Sequence, residues 1–81
     1  MIKIVYLARL RDALGTSSEQ ITAAQNVAEL LTLLRNRGGV WAQELAEGKA
    51  YKVAVNHALA SSTTALKAGD EVALLPPVTG G

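Results

Sequence analysis

Only one stretch of this sequence keeps helix periodicity over several turns, and strand-like alternation lies on both sides of it. Val27, Leu30, Leu31 and Leu34 fall at i, i+3, i+4 and i+7, which gathers them into one apolar stripe. Asn26 is a favourable N-cap residue, and Glu29 three positions on completes a capping-box pattern. Arg35 and Arg37 suit the negative end of the helix dipole, and Gly38-Gly39 stops the helix. The helix is therefore expected from Val27 to about Arg37. Its stripe must be buried, and the flanking strands are what the chain offers to bury it.

Residues 2–9 read as a first strand rich in β-branched side chains, and Arg9 to Leu14 as a short helical turn ended by Gly15. Residues 18–23 read as a second strand. After the main helix, a shorter one from Val40 to Glu47 pairs Trp41 with Leu45 and closes at Gly48. Tyr51 to Asn56 alternates as a strand, Asn56-His57 suits a turn, and residues 58–60 form a short strand. Gly69-Asp70 is a turn signal before the last strand, residues 71–75. This order suits an α+β domain: one mixed sheet with the main helix on one face. A right-handed crossover would set the first and last strands side by side in parallel. The order alone also admits other small α+β sheets.

A helix on one face leaves the other uncovered, yet the strands are apolar on both. Val5 and Leu7 cannot share a face with Ile4 and Tyr6, and Leu75 points away from Val72 and Leu74. Either a short helix or loop covers the second face, or it docks a partner. Leu75, which borders the C-terminal segment, favours docking.

Much chemistry is excluded by what the chain lacks. Without cysteine there is no disulfide, thiolate metal site or thiol nucleophile. His57 is the single histidine, and the carboxylates are too dispersed for a metal site or an acid–base dyad. P-loop and dinucleotide-binding glycine patterns are missing. Net charge is +1 with scattered basic residues and three aromatics, which gives no nucleic-acid footprint. No apolar run could span a bilayer and no signal peptide opens the chain, so the expected location is the cytoplasm.

The sequence finishes on Pro76-Pro77-Val78-Thr79-Gly80-Gly81. The prolines fix φ and favour an extended path, while the two glycines carry no Cβ and suit a narrow channel. Six extended residues reach roughly 20 Å at about 3.3 Å each. We therefore divide the chain into a domain, 1–75, and a C-terminal tail, 76–81, whose main-chain carboxyl group is the candidate reactive group.

The run from Gly69 to Leu75 followed by Pro76-Pro77-Val78-Thr79-Gly80-Gly81 resembles the C-terminal signature of the small, sulfur-carrying subunits of molybdopterin synthase. Residues 2–8 with Arg11-Asp12 and Gly15, and Val55-Asn56 before a short strand, are similar to the same family, and the resemblance spans the whole chain. It implies a ubiquitin-like β-grasp fold. It also implies that a ubiquitin-activating-type enzyme, using ATP bound by itself, adenylates the Gly81 carboxylate, and that a sulfur donor protein converts it to a thiocarboxylate. The large synthase subunit, in a heterotetramer of two small and two large subunits, would then accept the tail and pass sulfur to a cyclic pyranopterin precursor of the molybdenum cofactor.

In that reading the chain is a non-catalytic, sulfur-donating subunit that binds no cofactor or metal. Gly81 is the covalent site; Gly80, Thr79, Val78, Pro77 and Pro76 thread the tail; Leu75, Leu59, Leu7 and Val5 are candidate partner contacts. The same fold and tail would also serve a ubiquitin-like protein modifier, a sulfur carrier of another pathway, or a plain interaction domain with an inert tail.

Overall fold

A computed structural model describes residues 1–46 and 51–75. The elements run β1 (Ile2–Tyr6), α1 (Ala8–Leu14), β2 (Ser18–Ile21), α2 (Val27–Arg35), α3 (Gly39–Glu44), β3 (Lys52–Val55), β4 (Ala58–Ala60) and β5 (Glu71–Leu75). The five strands form one sheet in the order β2-β1-β5-β3-β4. β1 and β5 are parallel at its centre, and the other three pairings are antiparallel. This is the mixed sheet expected from the order of elements, with the last strand wedged between the first and third.

Helix α2 forms where the pattern places it. The Asn26 side chain accepts the Glu29 N–H at 2.8 Å, satisfying one of the free donors of the first turn. Glu29 reaches back one residue further than in the usual box, accepting from the Gln25 N–H at 3.2 Å. Val27, Leu30, Leu31 and Leu34 are all buried. They meet Ile2, Ile4 and Tyr6 of β1, Val72 and Leu74 of β5 and Val53 of β3 in a single core, to which Leu10, Leu14, Leu45 and Leu66 also belong.

The short elements differ from the expectation. β1 stops at Tyr6 rather than running to residue 9, because the chain breaks at Ala8, whose φ is +49°. Leu7 becomes the N-cap residue of α1, without a side-chain cap. The turn expected at residues 9–14 is thus a seven-residue helix closed by Gly15 in the left-handed conformation. β2 ends two residues early, at Ile21, and β3 occupies only residues 52–55. α2 ends at Arg35 and α3 begins at Gly39, one residue before the expected start, and ends at Glu44. The expected end of that helix, Glu47-Gly48, lies outside the described residues.

Two polar assemblies fix the ends of the sheet. The Asn56-His57 hairpin turn has both central residues at positive φ, +51° and +72°, the left-handed pair that a two-residue hairpin needs. Asn56 Nδ2 donates to Asp70 Oδ1 at 3.0 Å, and Asn56 Oδ1 accepts the Glu71 N–H at 3.0 Å, pinning the hairpin to the start of β5. Asp70 is buried and its second oxygen accepts the Lys67 N–H. It is an anchor, more than the turn residue its sequence context suggests. At the other edge, Glu19 of β2 accepts from Tyr6 Oη at 2.8 Å and from both terminal nitrogens of Arg37. Arg37 in turn lies 4.4 Å over the Trp41 ring, whose edge meets Tyr6.

Candidate functional site

The sheet has two faces, and strand alternation assigns each residue to one. Ile2, Ile4, Tyr6, Val53, Val72 and Leu74 point into the core beneath α2. On the opposite face the register aligns Ser18, Val5, Ala73, Ala54 and Leu59 in one row across all five strands. Of these, none belongs to the core cluster. The buried side chains of α1 and the Leu45 that closes α3 all join the core, so among the described residues the short helices do not cover this second face. The alternative that a short helix covers it therefore fails for those residues.

The row has a flat centre and raised rims. Ala73 and Ala54 leave a shallow floor, Val5 stands half-buried on one side, and Leu59 is 74% exposed on the edge strand. One step toward the C-terminus, Leu75 is half-buried on the same face and sits directly across the ladder from Lys52. One step the other way, Lys3 faces Glu71. The open face is thus an apolar strip with charged ends, and β5 runs through its middle to the last described residue. A docking partner on this strip lies beside the residue that leads into Pro76.

Three of the four candidate contacts, Val5, Leu59 and Leu75, are brought together here. Leu7 is 37% exposed but has left the strand, so alternation no longer assigns it to the open face. The sequence reading passed over Ala54, Ala73 and Lys52, although their parity with Val5, Leu59 and Leu75 was available once the register was known. Pro76, Pro77, Val78, Thr79, Gly80 and Gly81 lie outside the described residues.

Among the described residues, the polar side chains with shifted pKa values are tied into structural pairs. Arg37 bonding holds the Glu19 carboxyl below its usual range, and burial with the Glu19 bond pushes the Tyr6 phenol up. Both groups are fully engaged with one another. Among the described residues, no group of His, Asp and Glu side chains is arranged to hold a metal ion, and no helix is long and apolar enough to cross a membrane. What this geometry can do is present an apolar sheet face and whatever chain follows Leu75.

Known proteins share both the sequence and this architecture. The ThiS family model matches residues 4–81. The chain is 39% identical over 82 residues to the molybdopterin synthase sulfur carrier subunit of Escherichia coli, covering all of both proteins. The structure of the small archaeal modifier protein SAMP1 of Haloferax volcanii superposes with a TM-score of 0.82 at 25% identity, over 99% of this chain and 98% of that one. A chain from the complex of subunits 1 and 2 of the Helicobacter pylori molybdopterin-converting factor gives a TM-score of 0.70 at 26% identity, over 99% and 97%. With its mixed five-stranded sheet and full-length similarity, this chain belongs to the ThiS family of ubiquitin-like β-grasp proteins.

Proposed function

We propose that this chain is the sulfur carrier subunit of a molybdopterin synthase and that it carries sulfur on the carboxyl group of Gly81. The observation that carries the reading is continuity: the open apolar face ends at Leu75, and the next residue begins the Pro76–Gly81 segment. The 39% identity over the full length to a sulfur carrier subunit of that synthase supports the same assignment. The Helicobacter pylori relative, seen in a complex of the factor's two subunits, supports a large-subunit partner for this chain.

The chemistry proceeds in two substitutions. The Gly81 carboxylate attacks the α-phosphorus of ATP on an activating enzyme, giving an acyl-adenylate and pyrophosphate. Adenylation is needed because the negative charge of a carboxylate opposes nucleophilic attack, whereas AMP is a good leaving group. A hydrosulfide equivalent supplied by the donor then attacks the acyl carbon, forming the C–S bond while the C–O bond breaks and AMP leaves with its electron pair. The resulting thiocarboxylate is a soft nucleophile on a thin arm. Docking of the open face on the large subunit holds it near the pterin precursor, which converts a bimolecular encounter into a local one.

Intact mass after incubation with an activating enzyme, ATP and a sulfur donor tests the proposal. The expected change is one oxygen replaced by sulfur, lost when Gly81 is deleted. An unchanged mass, with the same enzyme loading a known carrier, would refute it. The close superposition on a small archaeal modifier protein favours a second reading, attachment of Gly81 to target lysines. Lysine-linked adducts of this chain in cells would support that reading, and their absence alongside thiocarboxylate would dismiss it.

A further inference from the structure

The charges on the open face are unevenly matched. Lys3 has Glu71 directly across the β1–β5 ladder, so their fields offset one another. Lys52 has Leu75 across the β3–β5 ladder instead. Lys52 is exposed, and among the described residues its side chain makes no hydrogen bond or ion pair. The last described residue before the C-terminal segment therefore lies beside a cation that no described residue pairs, one strand away from the central β5.

From this placement we infer that Lys52 is a specificity-determining contact, pairing with a carboxylate at the mouth of the channel by which a synthase large subunit, the kind of partner seen with the Helicobacter pylori relative, receives the tail. The inference rests on the sulfur-carrier reading, because it assumes that partners dock on the open face. A charge at the rim of an apolar patch changes the association rate and the salt dependence more than the chemistry that follows. Its place beside Leu75 also gives the docked carrier a register: the apolar row alone, flat at Ala54 and Ala73, resists sliding weakly. Lys52 thus selects partners with an acidic lip and disfavours those with a basic one.

The test compares Lys52→Gln, Lys52→Glu and Lys52→Arg with Lys67→Gln, which removes an exposed lysine at the far end of β5. The affinity for the large subunit, and sulfur transfer from the loaded carrier to it, are measured at low and at high salt. Lys52→Glu is expected to raise KM or Kd by about 5- to 20-fold at low salt, with kcat unchanged and the difference shrinking at high salt. Lys52→Gln falls between, while Lys52→Arg and Lys67→Gln behave like the wild type. Equal behaviour of Lys52→Glu and the wild type toward the large subunit overturns the inference, as does a loss confined to kcat. Wild-type thiocarboxylate formation is measured on the same preparations: its failure defeats the sulfur-carrier reading, whereas normal loading with an indifferent Lys52→Glu defeats only the role of Lys52.

Discussion

Leu59 offers a clean separation of folding from docking. It is 74% exposed, on the edge strand β4 and in line with Ala54 and Ala73 of the open face. Fully burying a leucine side chain is worth about 1.5–3 kcal/mol. About a quarter of that is realised on folding, so Leu59→Ala should cost the isolated protein only about 0.4–0.8 kcal/mol. For a domain of this size that is a fall in Tm of about 2–6 °C. The remaining three quarters are available to a partner, about 1–2 kcal/mol, which corresponds to about 5- to 30-fold in Kd. Calorimetric titration of the large subunit with wild type and variant reads the second quantity, and thermal melting reads the first. Leu33→Ala supplies the control, since Leu33 is 46% exposed on α2, away from the sheet face. A Kd within twofold of wild type, or an equal loss with Leu33→Ala, would refute the placement of the docking surface. A large fall in Tm would show that Leu59 is packed in solution.

Leu30→Ala removes a side chain with no exposed surface, and should destabilise the fold by about 2–5 kcal/mol in urea titration while Gly81 of the folded fraction still loads. Deleting Gly81 should do the reverse, abolishing thiocarboxylate formation with Tm unchanged. His57→Gly should stabilise the protein by about 0.5–1 kcal/mol in the same titration, since His57 is exposed at φ +72° and glycine suits the second position of this turn. The Glu19 carboxyl, whose pKa is lowered mainly by its bond to Arg37, contributes stability above its unfolded value of 4.5 and loses it as pH falls through the lower folded value. Arg37→Ala should therefore flatten that acid limb, and a denaturation series below pH 4.5 in which variant and wild type lose stability in parallel would contradict the assignment.

Much of this architecture was legible because its signals are local. The stripe at Val27, Leu30, Leu31 and Leu34 and the Asn26 cap define α2 within a dozen residues, and the alternation at residues 71–75 gives β5. The sequence missed the start of α1, since Leu7 carries no capping side chain and Ala8 is not a residue type that announces positive φ. The Glu19–Arg37 pair was equally hidden: its members are 18 residues apart in the chain, and only the fold brings them together. Asp70 could be read only as a turn former, because its partner Asn56 is 14 residues away. For the candidate site, Val5, Leu59 and Leu75 stood out by size. Ala54 and Ala73 did not, because a small residue at the floor of a docking face looks like any other alanine until register aligns it with its neighbours.

The central place of β5 has a mechanical consequence. The strand that leads into the tail is bonded along its length to β1 on one side and to β3 on the other, and its far end is tied down through Asn56 and Asp70. A pull along the tail would load both ladders in shear, with their hydrogen bonds sharing the tension. An edge strand peeled sideways would instead give way one bond at a time. Any partner that pulled on the chain beyond Leu75 would therefore pull against two ladders at once.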